Sequence, residues 1–327
     1  MRRSKLASPR ARLTVVLGAA AAALLLSCSQ ERPTGPHVSE PVVALPPAPI
    51  VFSGAGDMVK CAKPSKSKKK KPKVNADLLT AALLDTMPGK IFTIGDNVYE
   101  SGSAAEFANC YDPSWGRFKA RTYPTIGNHE YELGNADGYF GYFGAAAGPR
   151  DKGYYSFDLG PSWHVIVLNS NTSFVPAKAG SAQEAWLRAD LAANTRPCTI
   201  ALWHHPRFYS NSSSRGGTRG SMKPLWDDLY AANAEIVLNG HSHFYERFAP
   251  MDPDGQPDAA RGIREFIVGT GGKSISVMSR RRPNSEAFNG AVYGVLRLTL
   301  DVDAYHWRFV PVPGAKTYAD SGTTRCH

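Results

Sequence analysis

Apolar runs in this chain break off, one after another, on residues able to hold a metal or a phosphate. "APIVFSGAGD" ends on Asp57 and "GKIFTIGD" on Asp96, with Tyr99 three residues further on. "YPTIGNHE" carries Asn128 and His129, "CTIALWHHP" carries His204 and His205, and "AEIVLNGHSH" carries His241 and His243. An apolar run of this length bounded by turn residues reads as a buried strand. Between the runs, "ADLLTAALLDTM", "SAQEAWLRADLAAN" and "MKPLWDDLYAAN" read as helices. The second opens on Ser181 with Glu184 three residues later, a capping box. "GYYSFDLG", "SWHVIVLNS", "REFIVGTGG", "GAVYGVLRLTLDV" and "AYHWRFVPV" supply further strands. Strand, helix and strand therefore recur, and ligand sites in such sheets lie beyond the carboxyl ends of the strands. One Gly-Asp or one His-x-His would say little. Five such ends in succession imply one composite site built from the whole domain. No internal repeat or heptad pattern competes with this reading.

The formal charge of +10 has to be located before it is interpreted. Residues 1–28 contribute +5, residues 60–73, "KCAKPSKSKKKKPK", contribute +8, and the rest of the chain sums to −3. The body is mildly acidic, so the basic balance gives no ground for nucleic-acid binding by the folded part. The lysine run is too pure and too poor in aromatics to read bases. It reads as a solvated insertion over 62–73, with anchoring on an anionic lipid or surface polymer as the sharper alternative.

The first residues read as an export signal: a basic stretch, then "LTVVLGAAAAALLL", then "SCS". Leu25-Leu26-Ser27-Cys28 resembles a bacterial lipobox, which would leave Cys28 as a lipidated first residue; plain secretion is the alternative. Residues 29–48, rich in Pro, Ser and Glu, read as a flexible tether. Either reading places the domain outside the cytoplasm, in the periplasm, at the outer membrane or secreted, where disulfides persist. Cys61, Cys110, Cys198 and Cys326 allow three pairings. Cys61–Cys110 and Cys198–Cys326 are favoured: the first would tie the loops beside Asp57 and Asp96, the second would staple the C-terminal residues 314–327. No pair has the close spacing of a thiolate metal site.

Taken together, GD, GD-x-x-Y, GNHE, H-x-P and GH-x-H resemble the calcineurin-like metallophosphoesterases, and within them most the purple acid phosphatases. The resemblance covers about residues 49–250 in its motifs. It implies a four-layer α/β/β/α sandwich of two mixed sheets as a single catalytic domain over 49–313. It also implies two metal ions bridged by Asp96. Fe(III) would take Asp57, Asp96, Tyr99 and His243. A divalent Zn, Fe or Mn would take Asp96, Asn128, His204 and His241. The implied reaction is hydrolysis of a small phosphorylated substrate, with hydroxide attacking phosphorus in line between the cations. His129 would hold a phosphate oxygen or protonate the leaving group, with a purely orienting role as the alternative. His205 would touch substrate or orient a ligand.

Two departures bear on the chemistry. Many members of the wider superfamily place a histidine ligand two residues after the first aspartate; here Val59 stands there, and Tyr99 sits where the purple acid phosphatases place their phenolate. These phosphatases also usually carry further histidines downstream of H-x-P, whereas "RFYSNSSSRGGTRGS" has none. Arg207, Asn211 or Arg215 would then bind phosphate. Glu130, Tyr245 and Arg247 read as structural, with a carboxylate–guanidinium pairing near the site left open. "GTGG" at 269–272 reads as a tight turn beside the site, since no P-loop helix start follows it. Two other functions remain: a phosphodiesterase on nucleotides or glycerophosphodiesters, and a polyanion-binding surface lipoprotein with no hydrolytic activity.

Overall fold

The computed structural model describes residues 47–61, 75–210, 217–278, 280–315 and 317–327. The export signal with Cys28, almost all of the tether, the lysine run, and Asn211 and Arg215 lie outside the described residues. Among the described residues no helix is long and apolar enough to cross a membrane.

Two mixed sheets face one another. The first has six strands in the order β17-β16-β15-β1-β3-β5: Ser321–Arg325, Ala304–Pro311, Gly294–Leu300, Ile50–Ala55, Lys90–Thr93 and Thr122–Tyr123. The second has seven in the order β14-β12-β13-β11-β8-β7-β6: Ser285–Asn289, Tyr245–Phe248, Arg264–Val268, Ile236–Asn239, Cys198–Leu202, Trp163–Val167 and Tyr155–Leu159. Two short ladders, β2 (Val59–Lys60) with β4 (Val98–Tyr99) and β9 (Phe208–Tyr209) with β10 (Gly217–Thr218), lie in the loops around the site.

The central strands are parallel. Phe52 of β1 registers with Lys90 of β3, and Ile91 of β3 with Thr122 of β5. In the other sheet Ile236 of β11 registers with Ile200 of β8 and Arg264 of β13, and Val165 of β7 with Ile200. Strands β7, β8, β11 and β13 are buried at every position and β1 and β3 over their carboxyl-terminal parts, which is why the sequence shows continuous apolar runs there rather than alternation. Val165 and Val167 join the core between the sheets, while Ile166 and Leu168 join the layer under the helices. Full burial of each such side chain stabilises the fold by ~1.5–3 kcal/mol.

Helices α4 (Ala182–Ala193) and α5 (Lys223–Ala231) cover the outer face of the second sheet through Leu187, Leu225, Trp226 and Leu229. Ser181 accepts from the Glu184 N–H, as the sequence suggested, but the Glu184 carboxylate takes the Gly180 N–H at 3.1 Å rather than that of Ser181. Helix α1 (Ala76–Asp85) packs on the first sheet and completes the four-layer α/β/β/α arrangement. The excursion between β4 and β6 carries the short helices α2 (Ala104–Glu106) and α3 (Asp137–Phe143), held by a cluster of Phe107, Tyr111, Tyr139 and Phe143.

Both favoured disulfides are present, Cys61–Cys110 and Cys198–Cys326, with Cα–Cα distances of 5.4 and 5.7 Å. The C-terminal residues are more than a stapled tail. Ser321–Arg325 pairs antiparallel with β16 as an edge strand, and its disulfide reaches across to β8 of the other sheet.

Candidate metal centre

Among the described residues, the seven parallel-paired strands of the two large sheets, β1, β3, β5, β7, β8, β11 and β13, point their carboxyl ends at one edge of the sandwich, where the two sheets are sewn together. The Gly56 N–H, just past β1, donates to the Val268 carbonyl at the end of β13 (2.8 Å). The Gly271 N–H donates back to the Gly56 carbonyl (2.9 Å), and the Lys273 N–H to the Asp57 carbonyl (2.9 Å). "GTGG" is therefore a tight turn packed under the Asp57 loop.

Sharp turns at the strand ends aim the side chains inward. Asp57, Asp96 and His241 have φ of 56°, 49° and 66°, left-handed values that non-glycine residues rarely adopt. Each costs about 1–3 kcal/mol, and such residues cluster at functional sites. Gly95 has φ of 78°, and a Cβ there would come 2.5 Å from His204 Nδ1, so only glycine lets the Asp96 turn approach that ring.

The side chains form two groups that share Asp96. In the first, Tyr99 Oη lies 2.9 Å from Asp57 Oδ1, 2.8 Å from Asp96 Oδ2 and 3.3 Å from His243 Nε2. His243 Nε2 is also 3.2 Å from Asp57 Oδ1. In the second, Asn128 Oδ1 lies 3.2 Å from His204 Nε2 and 3.1 Å from His241 Nδ1, and His204 Nε2 is 3.4 Å from Asp96 Oδ1. The two oxygens of Asp96 thus face different groups. Asp57, Asp96 and His204 bring their ligand atoms within 4.8 Å of one another, and so do His204, His205 and His241.

The partners of each ring fix which nitrogen points inward. His204 Nδ1 can only donate to the Ile94 carbonyl (2.7 Å), so Nε2 is the inward atom. His243 Nδ1 bonds Ser274 Oγ at 2.6 Å, again turning Nε2 inward. Partners of this kind orient metal-ligating imidazoles. The first group holds a single phenol proton between two carboxylates and an imidazole, a donor set that calls for a cation.

Electrostatics agree with that shape. Burial alone would raise the Asp96 carboxyl, but the neighbouring His204 wins and holds it well below the usual range. Burial opposes protonation of His204, yet Asp96 raises it to about 9. Burial, then Asp57 and Asp96, push the Tyr99 phenol far up, so its proton leaves only for a strong Lewis acid.

His129 and His205 flank the two groups. His129 Nδ1 donates to the Glu100 carbonyl at 2.5 Å, leaving Nε2 on the site side, 3.9 Å from Asp96 Oδ2. Its ring packs on Tyr99 with centroids 4.3 Å apart. His205 Nδ1 lies 2.8 Å from Ser170 Oγ, which also accepts the His205 N–H at 3.0 Å. The hydroxyl proton has no other acceptor among the described residues, so it goes to Nδ1 and the ring carries its proton on Nε2. Burial, then His204 and His241, push the His205 pKa down and keep the ring neutral.

Arg207 is a correction. Its guanidinium donates to the Pro253 carbonyl (3.1 Å) and the Arg219 carbonyl (3.5 Å) and stacks on Phe208, so it holds the loop and is not presented to a phosphate. Arg219, three residues past the undescribed 211–216, lines the cavity beside His241 instead. Glu130 and Arg247 do not pair. Glu130 is 1% exposed and accepts the N–H groups of Asp96 (3.0 Å), Asn97 (2.7 Å) and Gly127 (2.7 Å), while Arg247 and Tyr245 both bond Asp320. Ser170, Ser274 and Lys273 were not anticipated. Lys273 Nζ sits 3.7 Å from the Tyr99 ring centroid and 2.7 Å from Glu100 Oε2. Asn169 and Ser170 end "SWHVIVLNS", so the rule that found the other strand ends would have found them.

The model of the calcineurin-like phosphoesterase family matches residues 78–245. Probable purple acid phosphatase 20 of Arabidopsis thaliana is 30% identical over 229 residues, 62% of this chain and 52% of that protein. Purple acid phosphatase 22 of the same plant is 31% identical over 160 residues, 47% of this chain and 36% of that protein. The chain thus spans about half or less of the length of these relatives. A purple acid phosphatase from yellow lupin seeds shares the fold with a TM-score of 0.66 at 21% identity, over 85% of this chain and 54% of that one. A dimetal phosphatase from Danio rerio does so with a TM-score of 0.53 at 11% identity, over 84% and 99%.

Proposed function

We propose, from the premise that this chain belongs to the calcineurin-like phosphoesterase family, that it hydrolyses phosphate monoesters at a two-cation site of the purple acid phosphatase type. The observation that carries the reading is the pair of donor groups sharing Asp96, each offering four side chains to one point. Asp57, Asp96, Tyr99 and His243, with two carboxylates and a phenol, suit Fe(III). Asp96, Asn128, His204 and His241 suit a divalent Zn, Fe or Mn. Bound there, two cations would polarise the phosphoryl oxygens and make water a competent nucleophile for in-line displacement.

The chain's own residues supply the rest. His205 offers a fixed Nε2–H from a neutral ring, which makes it a hydrogen-bond donor to a substrate oxygen and not an acid. His129, anchored through Nδ1, presents Nε2 on the Tyr99 side and is the group placed to pass a proton to the leaving oxygen. Asp57, Asp96 and His241 are held in strained turns by the surrounding sheet ends, so the donors are preorganised before substrate arrives. The two disulfides and the export-like N-terminus support action outside the cytoplasm, with Cys28 as the candidate lipid anchor.

The test is metal content and visible spectrum of the disulfide-bonded protein, before and after Tyr99→Phe, with rates on p-nitrophenyl phosphate and bis(p-nitrophenyl) phosphate. One iron plus a second metal, a visible band lost in Tyr99→Phe, and faster monoester turnover are expected. A colourless, active protein with two zinc or manganese ions would overturn the iron–phenolate assignment. Faster diester turnover would overturn the monoester assignment. No hydrolysis with any metal would overturn the enzyme.

A further inference from the structure

The outermost strands β5 of the first sheet and β6 of the second border one open side of the sandwich. β5 is two residues long, and stacked rings bridge the gap between the two edges: Tyr123 lies on Phe157 with centroids 3.7 Å apart and planes 8° from parallel. Tyr155, two residues before Phe157 on the same face of β6, continues this aromatic wall, its hydroxyl donating to the Pro124 carbonyl at 2.8 Å. The segment Gly144–Ala147 borders the wall with the methyl groups of Ala145 and Ala146, which are too small to fill the space. A cavity of about 750 Å³ remains, within the range of small-molecule sites. None of the seven candidate metal ligands lines it, nor does His129 or His205.

The rim of the cavity is basic. The 3₁₀ helix Trp115–Arg121 buries Trp115 and Phe118 and contributes Arg117, Lys119 and Arg121 to the lining. Arg117 is matched by Asp85, at 3.1 and 3.2 Å. Arg121 gives its two terminal nitrogens to the carbonyls of Leu84, Met87 and Gly89 at 2.8–2.9 Å, which hold the side chain without cancelling its charge. Lys119 is exposed, with its ammonium 4.4 Å from the Tyr142 ring centroid. Among the described residues no carboxylate forms an ion pair with Lys119 or Arg121, and no residue lining the cavity is acidic. Charges of one sign on low-dielectric walls focus a field that draws the opposite charge.

We infer that this cavity binds a small aromatic anion, with its ring against the wall of Tyr123, Phe157 and Tyr155 and its charged group at Lys119 and Arg121. The aromatic wall favours a flat ring over an alkyl chain, because stacked and edge contacts between rings add to simple burial of area. The cations supply the orientation. An anionic group on the ring meets both of them, whereas a neutral ring gains only the wall. The concave shape fits a small molecule rather than the broad face of a partner protein. No bond is made or broken there, and occupancy does not depend on hydrolysis at the metal centre.

The test is calorimetry on the metal-loaded, disulfide-bonded chain with 2-naphthalenesulfonate, which offers no phosphoryl group to hydrolyse. Neutral 2-naphthalenemethanol and the alkyl anion octanesulfonate serve as controls. For a ligand of this size the wild type is expected to bind 2-naphthalenesulfonate with a Kd of about 0.1–1 mM, and more tightly than either control. Lys119→Glu, at an exposed position, should weaken binding about 10-fold by reversing one of the two unmatched charges. Ala146→Trp should abolish it by filling the cavity. Lys178→Glu, at an exposed lysine outside the cavity, should change it less than about twofold, and the lysine run at 62–73 is common to every variant. Turnover of p-nitrophenyl phosphate should be unaffected by Lys119→Glu, and binding should persist even in a protein that hydrolyses nothing. No saturable binding in wild type, tighter binding of octanesulfonate, unchanged binding in Ala146→Trp, or a loss in Lys119→Glu no greater than in Lys178→Glu would overturn the inference. So would a wild-type dimer in sedimentation that Ala146→Trp dissociates, since the cavity would then belong to a second copy of the chain.

Discussion

Glu130→Gln removes one charge and almost no volume, yet it strikes the backbone that carries the shared carboxylate. Glu130 Oε2 accepts the Asp96 N–H at 3.0 Å and the Gly127 N–H at 2.7 Å, while Oε1 accepts the Asn97 N–H at 2.7 Å and the Val98 N–H at 3.4 Å. An amide keeps one oxygen. Whichever way it turns, its NH₂ meets two backbone donors that then have no acceptor. If the oxygen keeps Asn97 and Val98, the orphans are the N–H groups of Asp96, which carries the carboxylate shared by the two groups, and of Gly127, which precedes Asn128. Each buried, unsatisfied donor costs about 1–3 kcal/mol, so the change should cost about 2–6 kcal/mol. That is a large part of a typical domain stability of about 5–15 kcal/mol. The Asp96 and Asn128 loops will relax apart to recover some of it, which moves two candidate ligands. The assay is the denaturant midpoint of the disulfide-intact protein with and without metal, together with calorimetric metal titration. We expect a lower midpoint in both states and metal affinity weakened by about 10- to 100-fold, the usual effect of losing a group that orients ligands. A variant within ~0.5 kcal/mol of wild type, with unchanged metal affinity, would refute the argument that Glu130 sets the spacing of the two loops.

Other expectations test the scaffold. Burial, opposed by the Phe208 and Arg207 N–H groups, raises the Glu265 carboxyl to about 8. The native state therefore holds a proton that the unfolded chain has lost, and stability falls as pH rises from about 4.5 to about 8, then levels. Glu265→Gln, which keeps an oxygen for both N–H groups, should flatten the slope of unfolding midpoint against pH in that window; an unchanged slope would refute the assignment. Replacing Cys198 and Cys326 together by serine opens a loop with a sequence separation of 128 residues. The chain-entropy relation puts its contribution at about 5 kcal/mol, and a loss under ~1 kcal/mol by denaturant titration would show that β17 holds the C-terminal segment without it.

Much of the site was legible along the chain because parallel strands do two things at once. Burial on both faces makes each an apolar run, and its carboxyl end is where the backbone leaves the sheet toward the common edge. Asp57, Asp96, Asn128, His204, His241 and His243 each end such a run, so their convergence follows from strand direction alone. Tyr99 was singled out by resemblance: Val59 cannot ligate, and Tyr99 stands where the purple acid phosphatases place their phenolate, and the structure brings its Oη within 2.9 Å of Asp57 and 2.8 Å of Asp96. Arg207 misled because it immediately follows the H-x-P motif, and sequence proximity is a poor guide inside a loop. Phe208 and the Pro253 carbonyl, 46 residues away, capture its guanidinium.

The sequence by itself determined which residues could make this centre and that they would gather at one edge, since strand burial and strand direction are local properties. Only the tertiary structure decided how they are divided. Which oxygen of Asp96 faces Tyr99 and which faces His204 depends on left-handed turns at Asp57 and Asp96 and on Glu130 bridging two loops. Which arginine faces the cavity depends on a backbone clamp between Arg207 and Arg219. Ser170 and Ser274 come to His205 and His243 from other strand ends, 35 and 31 residues away in the chain. These are contacts between segments distant in sequence, each set by the packing of two sheets against one another, and no local pattern encodes them.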